Sequence, residues 1–181
     1  MFYIVECSYS DPQSEAEWNA FYSQIKLPAL ISVNGFTTSQ RFRAVTLGCP
    51  VYLAIHTVKD AEVLNSEDYR LKGGGNFSRW QDFITDWHRN LYTCRYPAPV
   101  ISTEEILLLS AQPIEYLTTQ LGYPVWEMQA AGLDKSPEHR LAYVVPHNMA
   151  ALFMNLPGVD LYEAMTPQLQ KSVKILKNGH H

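Results

Sequence analysis

FTTSQRFRAVTLGCPVYLAIHTV, residues 36–58, contains two runs of β-branched and aromatic residues, 36–45 and 51–58, parted by Thr46-Leu47-Gly48-Cys49-Pro50. Two strand-forming runs around a short Gly/Pro segment read as a β-hairpin. Upstream, Asn34-Gly35 is a helix stop, and Trp18, Phe21, Tyr22 and Ile25 share one helical face. Ser14 with Glu17 three residues on is a capping-box start, and Pro28 disturbs the last turns. Before that helix, FYIVECSY (residues 2–9) reads as a strand that Asp11-Pro12 stops. Downstream, Trp80, Phe83, Ile84, Trp87 and Leu91 recur at helical spacing with Arg79, Asp82, Asp86 and Arg89 opposite, which predicts a second amphipathic helix. Residues 91–96 then supply a strand before Pro97 and Pro99. The predicted order is β-α-β-β-α-β, the ferredoxin-like split βαβ arrangement.

The order recurs in shorter form. Residues 105–111 predict a strand, 114–121 a short helix, 125–131 and 140–145 a hairpin, 147–156 a helix, and 159–165 a last strand. Gly35-Phe36 follows the first helix of one pass and Gly122-Tyr123 that of the other. The expected fold class is therefore α+β: two tandem ferredoxin-like βαββαβ halves whose paired sheets form an α+β barrel with helices outside. The halves are residues 1–99 and 100–167, and 168–181 is a terminal helix or arm in which His180 and His181 read as a tag remnant.

Composition narrows the function. The 181 residues are 46% hydrophobic and 18% charged, a globular balance. A net charge of −4 argues against nucleic acid as a partner. The N-terminus lacks a basic leader and no apolar run approaches the roughly 20 residues that span a bilayer, so no membrane partner is expected. Cys7, Cys49 and Cys94 are odd in number and have no metal-like spacing, which fits a reducing, cytoplasmic setting and a chain without a metal. The 12% aromatic content hints at a pocket for a flat small-molecule substrate.

The run from Tyr3 to Tyr92 resembles the EthD-like part of the dimeric α+β barrel superfamily. The resemblance is carried by the opening strand, Trp18 and Tyr22, Leu27-Pro28, Gly35-Phe36 leading into Gln40-Arg41-Phe42-Arg43, and Trp87-His88-Arg89. It implies a pocket between the helices and the sheet of one half. The superfamily includes cofactor-independent monooxygenases, lactone isomerases, decarboxylases and haem enzymes, so a reaction does not follow from the fold. Lys26 stands where several members carry a histidine.

Arg41 and Arg43 alternate along a strand, so their guanidinium groups share a face suited to clamping a carboxylate or an enolate; the plainer reading is a surface hairpin. His88, at the edge of the predicted second helix, is a candidate general acid or base. His56, on a strand with Tyr52 and Ala54, is a candidate contact that also suits simple packing. Trp18, Tyr22 and Trp87 are candidate pocket walls, although such spacing also suits a core. Gly73-Gly74-Gly75 lacks the context of a phosphate loop. The leading expectation is a cofactor-independent lyase or isomerase on a small carbonyl or aromatic acid, with Arg41 and His88 catalytic and Arg43, Trp18, Tyr22, His56 and Trp87 binding. The alternatives are cofactor-free oxygenation of an electron-rich aromatic, and a non-catalytic barrel. No cofactor is expected, haem stays open because one histidine suffices to hold it, and a homodimer is left open.

Overall fold

The computed structural model describes residues 1–73 and 77–171. The predicted hairpin is present as β2 (Phe36–Ala44) and β3 (Tyr52–Val58), antiparallel from Phe36↔Val58 to Arg43↔Tyr52. Between them, the Thr46 hydroxyl accepts from the Leu161 amide at 3.2 Å, which ties the turn to the far half of the chain. β1 (Phe2–Tyr9) lies beside β3, and β4 (Ile84–Thr93) beside β1. The remaining strands are β5 (Glu105–Ser110), β6 (Trp126–Leu133), β7 (His139–Pro146), β8 (Val159–Ala164) and the two-residue β9 (Leu169–Gln170).

The strands run in the order β3-β1-β4-β6-β7-β5-β8-β2, and the β2–β3 pairing closes the ring into an eight-stranded antiparallel barrel. β9 adds to β2 beyond the end of β8. Closure removes the sheet edges that would otherwise expose unpaired backbone. Phe2, Ile4, Phe42, Leu53, Ile55, Tyr92, Leu107, Leu109, Met128 and Tyr162 fill the interior. The alternate residues of the same strands face outward under helices and turns, so β1 is buried on both faces and reads as a nearly continuous apolar run.

The first helical layer runs from α1 (Glu15–Phe21) through a wide π turn (Tyr22–Lys26) into α2 (Leu27–Ile31). Pro28 brings no amide to the helical ladder, and the wide turn sits just before it. Ser14 precedes the helix but does not cap it with its side chain: its hydroxyl donates to Asp11 Oδ2 at 2.6 Å and pairs with Tyr9 Oη at 2.6 Å.

The predicted helix over Trp80–Leu91 is corrected. Residues Ser78–Phe83 form a 3-10 turn and the rest is β4, with Trp87, Arg89 and Leu91 outward and Asn90 and Tyr92 inward. Only Asn90, Leu91 and Tyr92 of β4 are buried, so Phe83, Ile84 and Trp87, which carry the helical spacing, lie on a partly or fully exposed stretch where no inside–outside alternation shows. A shift in the β1–β4 register between Glu6 and Ser8, with Asp86 at φ 49°, further blurs the alternation. The true crossover helix comes earlier, as the 3-10 turn Ala61–Asn65 and α3 (Glu67–Lys72). Ser66 Oγ caps α3 by accepting from Tyr69 N at 3.1 Å.

In the second half, the expected helices shrink to a π turn at Tyr116–Gln120 and a 3-10 turn at His147–Leu152. These cover Leu108, Leu141, Tyr143 and Leu161 on the outer face. The architecture is thus α+β: a closed barrel with few helices. Gly74, Gly75 and the terminal-helix expectation beyond residue 171 lie outside the described residues. No helix among the described residues is long and apolar enough to cross a membrane.

Candidate active site

Two places in the barrel carry unusual polar chemistry, and they lie on opposite faces of its wall. The first is a cleft on the outer face of the first half. Tyr3 and Val5 of β1, His56 of β3 and Trp87 of β4 form its floor, while Tyr22, Lys26, Leu30, Tyr69 and Phe77 form its roof. Gly73 belongs to the roof because a Cβ there would stand 2.4 Å from Leu30 Cδ2 and 3.3 Å from the Tyr69 ring. The closed cleft has a volume of about 20 Å³, room for about one water.

His56 is fully buried in this floor. Its register partner across the hairpin is Ser39, whose Oγ lies 2.7 Å from Nδ1. Nε2 is buried with no hydrogen-bond partner among the described residues. Burial holds the imidazole neutral by pulling its pKa down to about 3. The rings of Tyr3 and Phe36 pack beside it at 5.6 and 5.4 Å between centroids. Across the cleft, Arg89 Nη1 donates to Tyr3 Oη at 3.2 Å, and Tyr3 Oη lies 3.1 Å from Tyr69 Oη. Burial, then the neighbouring Tyr69, drives the Tyr3 phenol well above its ordinary pKa against the pull of Arg89. Lys26 Nζ stands 5.1 Å from the centre of the Phe77 ring, and burial lowers its pKa.

Arg41 sits behind this cleft. It is 1% exposed, with Nη1 donating to Ser23 Oγ at 2.8 Å and Asn19 O at 3.3 Å, and Nη2 to Asn19 Oδ1 at 2.9 Å. Its guanidinium lies 4.0 Å from the centre of the Tyr22 ring. Desolvation lowers its pKa, with the nearby phenols opposing. Arg43 lies beside it on the strand and reaches Tyr52 Oη at 3.4 Å, a hydroxyl that also donates to Glu15 and accepts from Asn19 Nδ2 at 2.9 Å. Trp18 is fully buried, stacked 4.6 Å from Tyr9. Trp18 and Arg41 therefore belong to the packing between α1 and the sheet.

The second place is the barrel mouth, lined by Glu6, Cys49, His88, Ser110, Arg140 and Asp160 around about 480 Å³. Arg140 Nη1 and Nη2 each reach a Glu6 carboxylate oxygen at 3.0 Å, and both side chains are under 10% exposed. This bidentate pair spans the interior from β1 to β7. Burial pulls the Arg140 pKa down, and the Glu6 carboxylate more than restores it, leaving it above the ordinary value.

The expected pairing of Arg41 with His88 is thus not formed: one is buried on the outer face and the other is exposed at the interior mouth. Tyr22, His56 and Trp87 do converge, in the cleft. Sequence reasoning missed Tyr3, Ser39, Tyr69 and Arg89. The available signals were the odd positions of FYIVECSY, which place Tyr3 on one face with Val5, and Ser66-Glu67-Asp68, a capped helix start just before Tyr69. Among the described residues, no group of three His, Cys, Asp or Glu side chains is placed to hold a metal ion.

No protein-family model matches the chain, and no curated protein matches its sequence. Solved structures do match. An anthrone oxidase-like protein aligns over 96% of this chain and 94% of its own, with TM-score 0.57 and 9% identity. A proposed monooxygenase of Lactobacillus acidophilus NCFM aligns over 94% and 95%, with TM-score 0.52 and 8% identity. Another, of Fusobacterium nucleatum subsp. nucleatum, aligns over 95% and 95%, with TM-score 0.59 and 5% identity. None of the three descriptions is EthD-like. At such identities the likeness is one of fold, and this chain shares the α+β barrel fold of those three proteins along nearly its whole length.

Proposed function

We propose that this protein oxygenates an electron-rich phenolic or anthrone-like aromatic in the outer cleft of its first half, using neither metal nor organic cofactor. The carrying observation is the buried, neutral imidazole of His56, with a bare Nε2 inside a cleft walled by Tyr3, Tyr22, Tyr69, Phe77 and Trp87. Aromatic walls suit a flat substrate, and a few buried polar atoms orient it. The names of the structural neighbours favour oxygenation over the lyase or isomerase expectation. The two strand quartets β2-β3-β1-β4 and β6-β7-β5-β8 repeat one internal order, which supports reading the chain as two tandem ferredoxin-like units.

The chemistry balances without a reductant. The ring methylene of an anthrone-type substrate loses a proton to solvent as its conjugated oxyanion binds. That anion passes one electron to O2, and the radical pair joins at carbon as a peroxide anion that takes a proton back from solvent to become a hydroperoxide. Loss of water from the hydroperoxide leaves a carbonyl, so one methylene and one O2 give one carbonyl and one water. The substrate anion supplies the electrons, so haem is not needed. In this cleft, the imidazole, Tyr69 and Lys26 are the groups that meet the oxyanion. Tyr22, backed by Arg41, and Trp87 hold the rings. The closed volume requires the roof at Lys26 and Phe77 to part for entry. Oxygen uptake with a hydroxylated anthrone tests the reading. His56→Phe should lower the rate roughly a hundredfold, whereas full activity in that variant would contradict it.

A further inference from the structure

We infer that Ser39 is a positioning residue that fixes His56 as the Nε2–H tautomer, so that the cleft presents hydrogen-bond donors and selects aromatics bearing an acceptor oxygen. The number of stranded hydrogens and lone pairs differs between the two tautomers. Ser39 is fully buried on β2, and its Oγ has one hydrogen-bond partner among the described residues, His56 Nδ1 at 2.7 Å. If the Ser39 hydroxyl donates, Nδ1 accepts, Nε2 carries the proton, and one buried donor remains unpaired. If Nδ1–H donates to Ser39 instead, the Ser39 hydroxyl proton and the Nε2 lone pair are both stranded. Leaving one more buried polar group unpaired shifts such an equilibrium by roughly tenfold or more, so the Nε2–H form prevails.

The facing tyrosines run the same way. Arg89 can only donate, and it donates to Tyr3 Oη. Tyr3 Oη and Tyr69 Oη lie 3.1 Å apart and either can donate to the other, so one of the two hydroxyl protons is left without an acceptor among the described residues. His56, Tyr3 and Tyr69 all line the same cavity, and a ligand satisfies the imidazole N–H and the remaining tyrosine hydroxyl with a phenolate or carbonyl oxygen on an aromatic frame. A bare hydrocarbon leaves the His56 N–H and that hydroxyl unpaired. With Nδ1 accepting from Ser39, the Nε2–H can donate and has no lone pair with which to abstract a proton. The substrate class rests on the oxygenation reading, whereas the tautomer does not.

The test is ring 15N NMR of the full-length protein together with binding of 1,8-dihydroxyanthraquinone, which lacks the oxidisable methylene. In the wild type, His56 should show a protonated Nε2 and an unprotonated Nδ1 from pH 7 down to pH 5. Dihydroxyanthraquinone should bind at least tenfold more tightly than anthracene. Ser39→Ala should weaken that binding roughly tenfold, and Ser39→Thr, which keeps the hydroxyl, should restore it. A protonated Nδ1 in the wild type, or equal binding by wild type and Ser39→Ala, overturns the inference; the wild-type spectrum decides even if Ser39→Ala does not fold. Absence of oxygen uptake with anthrones would remove the oxygenation reading while leaving the tautomer and the oxygen preference to stand or fall on these data.

Discussion

His56 is a base that folding prevents from taking a proton, and this gives it a measurable signature. In an unfolded chain an imidazole binds a proton near pH 6.5, and in the barrel only near pH 3. Between these values the unfolded state holds more protons. The stability contributed by neutral His56 is therefore complete above about pH 6.5 and is lost as pH falls toward 3. Urea unfolding should show that between pH 7 and 4.5 the wild type loses roughly 2–3 kcal/mol more than His56→Phe; equal losses would show that His56 is not held neutral. Arg41 and His88 separate just as clearly. Arg41→Ala strips a buried guanidinium from Asn19, Ser23 and the Tyr22 ring and should cost roughly 2–4 kcal/mol. His88→Ala, on an exposed strand position, should stay within about 0.5 kcal/mol and leave cleft chemistry unchanged. Thermal denaturation of the two variants distinguishes a packed arginine from a surface histidine.

At the scale of elements, much of the barrel was legible and one element was not. The hairpin at 36–58 and the strands of the second half were found within a residue or two, because Gly, Pro and Asn punctuate them and their β-branched runs are short. Residues 80–91 misled because β4 is exposed over residues 85–88 and buried only over residues 90–92, beside a register shift, so its period of two is hidden and an accidental period of 3.6 shows instead. The site followed the same division. Tyr22, His56 and Trp87 come together, but the false helix put His88 at the edge of the Trp87 face, whereas a strand sends neighbours to opposite sides of the wall. The overlooked α3 brought Tyr69, and its start is set by Ser66. Ser66→Ala should cost roughly 1 kcal/mol in chemical denaturation; no change would mean that the cap hydrogen bond contributes nothing.

Over the whole molecule, the two halves are sewn together at the β4–β6 and β2–β8 seams and cross-linked through the interior by Glu6 and Arg140. A buried ion pair is costly to desolvate, so breaking it and replacing it should differ in sign or size. Glu6→Leu or Arg140→Met alone should destabilise by roughly 3–5 kcal/mol, while the double variant should recover most of that loss. Additive losses in the double-mutant cycle would show that the pair does not act as a unit. A fold alone does not fix a reaction, so the cleft in the outer wall carries the claim about function. The most direct test measures oxygen consumed against anthrone converted by the metal-stripped protein in chelator. One O2 per carbonyl formed, with the rate lost in His56→Phe, is the predicted result. No uptake above the buffer rate, or uptake that appears only when a metal or haem is restored, would contradict it.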